Sequence, residues 1–314
     1  MKNNLWGYAA AGALGVALAS SPAAAENLQI VVVTHGQAAS AFWSVAQKGV
    51  EDADADFDDV DVSYQAPEGF NMVQMGQIID AAVASNPDGL VVSIPDAESL
   101  GDAIRNAVAS GIPVISMNSG SDVRKDLGVM VHVGQTEYEA GLGGGERWKD
   151  AGITNAACVN VEVGNVALDL RCEGFAEGLG QEVEVIPVQI GDPTQMRNAV
   201  AAYMASHPDL EGLFVLGQDG AMPTLEAVEE GDKLGQIKVA TFDLSDEVLM
   251  AIDEGKMDFA IDQQQYMQGY LPVVLLRLYN KTGVMPGADV LTGPGFVTKD
   301  NAANVIDWAK EGVR

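Results

Sequence analysis

The stretch ASNPDGLVV at residues 84–92 is answered by ASHPDLEGLFV at residues 205–215. Each reads as the end of a helix, a Pro-Asp breaker and a strand that is apolar on both faces. Each is soon followed by an acid, Asp96 in the first case and Asp219 in the second. A unit that returns in the second half of a chain predicts two lobes of similar build, and 314 residues are enough for two domains with a core each.

Working outward, strand-like runs occupy residues 29–34, 60–64, 89–94, 113–117, 129–133, 156–161, 183–189, 212–217, 237–242 and 259–262. Helical patterns lie between most of them. Runs such as GLVVSI and IKVATF have no polar face, as parallel strands covered by helices on both sides require. The predicted class is α/β, with two doubly wound parallel-sheet lobes.

The start of the chain reads differently. Lys2, an apolar run over residues 5–19 and the small residues Ser21 to Ala25 form a signal peptide over residues 1–25, cleaved after Ala25. The run is shorter than the roughly 20 residues of a bilayer span, and no cysteine follows the cleavage point. A secreted, periplasmic protein is expected. The net charge is −28, becoming −29 when Lys2 leaves with a signal that holds no Asp or Glu. Such a surface repels nucleic acid and anionic lipid and suits a saline habitat.

Cys158 and Cys172 are the only cysteines. In an oxidising compartment they read as a disulfide, closing a loop worth up to about 3 kcal/mol, or else as two buried thiols. Neither has the histidine partners of a metal site or a catalytic nucleophile.

In doubly wound sheets, ligands bind beyond the carboxyl ends of the strands. The segments to inspect are therefore 35–43, 95–96, 118–119, 162–171, 218–219, 243 and 263. They supply His35, Gln37, Asp96, Asn118, Asn165, Arg171, Gln218, Asp219, Asp243 and Gln263. Charged acceptors, a five-donor guanidinium and amides that donate and accept together suit a ligand covered in hydroxyls, each of which needs partners once buried. Phe42 and Trp43, adjacent in a chain with 6% aromatics, offer flat faces for the C–H side of a sugar ring. The alternative is that both rings are core residues of the first helix. His35 reads equally as a hydroxyl partner or as a structural histidine.

FWSVAQKGVEDA, GIPVISMNSG, LDLRCEGF, VATFDLS and FAIDQQQYMQGY, in that order, resemble the type I periplasmic sugar-binding proteins of ABC transporters, the ribose-, xylose- and galactose-binding group. The resemblance covers the whole mature chain. It implies that Phe42 and Trp43 flank a sugar and that Asn118, Arg171, Asp243 and Gln263 bind its hydroxyls. It also implies lobes joined near residues 134, 263 and 291, the first being 26–134 plus 264–291 and the second 135–263 plus 292–314. A monomer, delivering a monosaccharide or polyol to a membrane ABC permease without cofactor or catalysis, is expected. Ribose-type members carry Asp-Arg where this chain has Asn118-Ser119, and the longer first loop adds His35 and Gln37, so the identity of the sugar stays open.

Other motifs carry less. GLGGGERWKD at residues 141–150 lacks the Gly-Lys-Ser/Thr ending of a phosphate loop and reads as close helix packing. THGQAAS has no dinucleotide fingerprint. His35, His132 and His207 are too scattered for a metal. The acids are numerous enough for a glycosidase, but the arginine among them favours binding, and no Gly-x-Ser-x-Gly elbow supports an esterase. A module feeding a chemoreceptor or sensor kinase would carry the same pocket. The ligand domains of lactose-repressor-type regulators share the fold, but the signal peptide and the lack of a basic DNA-binding segment exclude that role.

Overall fold

A computed structural model describes residue 1 and residues 27–36 and 40–314. The expected signal peptide, its first residue apart, and Gln37 lie outside the described residues.

The first sheet contains β1 (Leu28–Val33), β2 (Val60–Gln65), β3 (Gly89–Val92), β4 (Val114–Asn118) and β5 (Val131–Gly134). The second contains β6 (Ala156–Asn160), β7 (Glu184–Pro187), β8 (Gly212–Val215), β9 (Lys238–Phe242) and β10 (Phe259–Asp262). Each gains a sixth strand from the end of the chain, β11 (Val290–Leu291) in the first and β12 (Gly295–Thr298) in the second. The orders are β2-β1-β3-β4-β5-β11 and β7-β6-β8-β9-β10-β12, so one doubly wound topology is used twice. Among the described residues every strand pairing is parallel except β10 with β12. The sequence predicts ten strand-like runs, and twelve strands form among the described residues. β11 is two residues long and β12 opens on a glycine, so neither leaves an apolar run to read.

Helices α1 (Ala41–Asp56), α2 (Met72–Ala84) and α3 (Ala97–Ala109) cover the first sheet. α4 (Glu137–Asp150), α5 (Val166–Leu179), α6 (Pro193–Ser206), α7 (Ala221–Glu230) and α8 (Asp246–Asp253) belong to the second lobe, with α10 (Ile306–Lys310) against α8. α9 (Gln265–Thr282) follows a strand of the second sheet but packs on α1 of the first lobe. The first sheet separates two apolar cores, one around Trp43, Ile115 and Leu276 and the other around Met75, Leu90 and Ile104. The second lobe has one continuous core around Trp148, Phe175, Phe214 and Phe259. Burial of β3, β4 and β8 along their whole length gives the apolar runs their reason.

The glycine-rich segment is helix packing. A Cβ on Gly141 of α4 would lie 2.0 Å from the Arg171 carbonyl oxygen of α5, and one on Gly174 of α5 would lie 2.0 Å from the Tyr138 carbonyl oxygen. α1 and α9 meet the same way, through Gly49 and Gly269. These backbone-to-backbone contacts leave no room for a side chain, so each pair moves as one body. Cys158 on β6 and Cys172 on α5 form a disulfide that ties α5 to its sheet.

The chain passes between the sheets three times: from β5 to α4, from β10 to α9, and from β11 to β12. Thr292 N–H donates to the Gly134 carbonyl at 2.8 Å, and the Gln264 side chain donates to the Thr292 carbonyl at 2.6 Å. The three crossings are therefore bonded to one another.

Candidate ligand-binding cleft

The carboxyl ends of both sheets face a cleft between the lobes. Its first-lobe wall carries His35, Phe42, Trp43 and Asn118. Its second-lobe wall includes Glu162, Asn165, Arg171, Gln218, Asp219 and Asp243, with Gln263 at the crossing.

Phe42 and Trp43 sit in the first turn of α1, whose cap is the Ser40 hydroxyl accepting the Trp43 N–H. Their rings meet edge to face at 4.8 Å and are only 6% and 5% exposed. They belong to the core of the first lobe and line the cleft as well, so packing and cleft lining are compatible.

His35, just beyond β1, is buried and meets Trp43 edge to face at 4.8 Å. Burial, with the Arg171 charge adding to it, lowers its pKa to about 3, so the ring is neutral. Ser93 Oγ accepts the His35 N–H at 2.9 Å and stands 2.9 Å from Nδ1. The hydroxyl can donate to Nδ1 or accept from it, according to the tautomer, and the other ring nitrogen is Nε2. That nitrogen lies 3.7 Å from Glu162 Oε2 on the opposite lobe.

Arg171 is buried on α5. Its Nε donates to Glu137 Oε2 at 2.6 Å and its Nη1 to the Leu216 carbonyl at 2.7 Å, while the guanidinium lies 4.2 Å from the centre of the Phe242 ring. Asn165 caps α5 through the Ala167 N–H and donates to Glu162 at 2.8 Å. Burial raises the Glu162 carboxyl. Burial also pushes Asp243 up to about 7 despite the nearby Arg171.

Two backbone positions are unusual. Asn118 and Asp243 have φ of 63° and 69°, a left-handed conformation that costs non-glycine residues energy and concentrates at functional sites. Gln263 joins them: Asn118 Nδ2 donates to Gln263 Oε1 at 3.2 Å, and Gln263 Nε2 donates to Asp243 Oδ1 at 2.7 Å. Gln268 and Thr292 fix the same glutamine, Gln268 through Nε2 to Oε1 at 3.1 Å and Thr292 through its hydroxyl to the backbone carbonyl at 2.6 Å.

Direct contacts cross the cleft. Val166 N–H at the start of α5 donates to the Pro95 carbonyl at 3.0 Å. With the Gln218 amide oriented to satisfy both its atoms, its oxygen accepts the Phe42 N–H at 2.6 Å and its nitrogen donates to the Leu244 carbonyl at 2.5 Å.

Of the residues expected from sequence, the structure brings together His35, Phe42, Trp43, Asn118, Asn165, Arg171, Gln218, Asp219, Asp243 and Gln263. Asp219 is the exposed member, at the rim. Asp96 is not among them. Its carboxylate caps α3, accepting the Glu98 N–H at 2.9 Å and bonding the Ser99 hydroxyl. An acid after a strand is also an acid before a helix, and here the helix takes it. Sequence reading did not single out Glu162, Glu137, Gln268 or Thr292. Glu162 opens a segment marked for inspection. Glu137 gave no signal, since an acid in a helix's first turn complements the helix dipole anyway.

Two doubly wound lobes, bonded at three crossings and facing each other across a polar cleft with one aromatic wall, define a two-lobed binding protein. The chain belongs to the family described as periplasmic binding protein domain, which matches residues 30–282. It is 25% identical over 290 residues to the xylose/arabinose-binding protein XylF of Sulfolobus acidocaldarius, covering 87% of this chain and 71% of that one. It is 27% identical over 190 residues to the ribose import binding protein RbsB of Haemophilus influenzae, spanning 59% of this chain and 63% of that relative. A carbohydrate transporter from Acidothermus cellulolyticus 11B, solved in complex with myo-inositol, superposes with a TM-score of 0.85 at 34% identity, covering 92% of this chain and all of that one.

Proposed function

We propose that the protein captures a monosaccharide or cyclic polyol between its lobes, in the periplasm, and presents it to an ABC permease as a monomeric, non-catalytic receptor. The observation that carries this reading is the pairing of walls. Phe42 and Trp43 bound one side of the cleft, and Arg171, Asp243 and Asn165 bound the other.

A ring laid on the aromatic wall buries its C–H face. Its hydroxyls then meet a guanidinium with donors to spare, a carboxyl, two amides and the neutral ring of His35. The relatives support the same reading, since they are described as binding proteins for xylose, arabinose and ribose, and one solved structure holds myo-inositol.

A thermal-shift screen against pentoses, hexoses and cyclitols, myo-inositol included, tests it. A ligand at 100 times its Kd stabilises the folded state by about 2.7 kcal/mol. No shift with any polyhydroxylated compound would overturn the proposal.

A further inference from the structure

Arg171 is the one lysine or arginine among the described residues that line the cleft, and its charge is already answered from behind. Glu137, 4% exposed and outside the cleft lining, takes the Arg171 Nε–H on Oε2 and also accepts from Gln135 Nε2 at 2.9 Å. The glycine contacts between α4 and α5 lock the two helices that carry this pair, so the pairing belongs to one rigid body. The remaining ionisable groups that line the cleft are His35, which is neutral, and the acids Asp243, Glu162 and Asp219.

A ligand bearing a carboxylate or phosphate therefore meets a neutralised arginine and further acids. It would surrender its hydration without gaining a free counter-charge. A ligand with only hydroxyls suffers no such loss. It can still accept from the Arg171 donors that Glu137 and Leu216 leave unused, because pairing removes net charge and leaves those hydrogens in place.

We propose that Glu137, by neutralising Arg171 from behind, is the residue that makes the cleft select uncharged polyols over carboxylated or phosphorylated ones. This deepens the sugar-binding reading and rests on it. Glu137 acts through Arg171 and is a positioning residue. What separates this role from plain structural support is the ratio of neutral to anionic affinity, which a loss of packing alone would not move in favour of the anion.

The test is calorimetric titration at pH 8 with two matched pairs, D-glucose with D-glucuronate and myo-inositol with myo-inositol 1-phosphate. Wild type is expected to bind a neutral member and to bind its anionic counterpart at least a hundredfold more weakly. Glu137→Gln is expected to narrow that ratio at least tenfold, and Glu137→Asp, which keeps the charge, to preserve it. Loss of neutral binding in Glu137→Gln without narrowing, or equal narrowing in Glu137→Asp, would overturn the proposal. Should Glu137→Gln fail to fold, Glu137→Met, which removes the charge and fills the buried position with a chain of similar length, is titrated in its place; the same tenfold narrowing is expected, and a ratio as wide as in wild type overturns the proposal. A wild type that binds an anion as well as its neutral partner overturns this proposal alone. One that binds no member of either pair overturns the sugar-binding reading and this inference with it.

Discussion

Asn118 and Asp243 hold corresponding places in the two lobes, at the end of β4 and just after β9, and the single side chain of Gln263 bonds to both. Each has a left-handed backbone. Both are buried, so the amide that joins them works in a low-dielectric setting, where an unpaired polar group is costly.

Gln263→Ala removes the acceptor of Asn118 and the donor of Asp243 together. Asn118 keeps only a 3.4 Å contact to Gln268, and Asp243 keeps no amide. A stability loss of about 1 to 3 kcal/mol is expected from the unsatisfied groups, read as a lower midpoint in thermal unfolding of the ligand-free protein. An unchanged midpoint would show that the bridge contributes nothing.

Asp243 also sets a pH dependence. Its folded pKa, raised by burial to about 7, lies above the 3.8 of an exposed aspartate. Between those values the native state binds more protons than the unfolded chain, so this group's contribution to stability falls as pH rises from about 4 to 7. Asp243→Asn cannot ionise. Its Tm relative to wild type is therefore expected to rise from pH 5 to pH 8, and a Tm difference that stays constant or falls over that interval would contradict the burial argument.

The fold was largely legible in the sequence because its signal is repetitive. Apolar runs such as GLVVSI and the echo of ASNPDGLVV in ASHPDLEGLFV recur wherever a parallel strand must be buried on both faces. The cleft was legible by position, since residues just after strands lie at the carboxyl edge whatever their identity. That rule cannot say which way a side chain turns. It places Asp96 and Asp243 alike, yet one caps a helix at the surface and the other enters the cleft on a left-handed backbone. It is blind to Glu137 and Thr292 because they reach the site through partners distant in sequence, 34 residues away for Glu137 and Arg171 and 29 for Thr292 and Gln263, and to Gln268 because it lies inside the helix that follows the strand rather than just after the strand.

Gly141 offers a test of how rigidly Arg171 is held. A methyl there would sit 2.0 Å from the Arg171 carbonyl oxygen, a backbone atom that cannot swing aside. Gly141→Ala is expected to push α4 from α5, cost about 1 to 3 kcal/mol as overpacking does, and weaken ligand binding by displacing the guanidinium. Gly76→Ala on α2 is the control: its nearest neighbour is a Leu100 methyl at 4.0 Å, and a relaxed helical Gly→Ala change stabilises by about 0.4 to 1 kcal/mol. Equal effects at the two positions would discount the close approach.

The contact between Gln218 and Phe42 concerns closure itself. Phe42 N–H lies in the first turn of α1, where amides lack a partner within the helix, and Gln218 of the opposite lobe supplies one at 2.6 Å. When the lobes part, that amide returns to water, so the bond favours the closed state by the net worth of one hydrogen bond, about 1 kcal/mol. Gln218→Ala is therefore expected to weaken ligand binding about fivefold, mainly through faster release, because the contact must break before the ligand can leave. Trp43 borders the cleft beside Phe42, so its fluorescence should follow closure in stopped-flow mixing, and a Trp43→Phe background shows how much of the signal is its own. Release as slow in Gln218→Ala as in wild type would mean that the lobes are held by other contacts, of which the Val166 N–H to Pro95 carbonyl bond is the next to test.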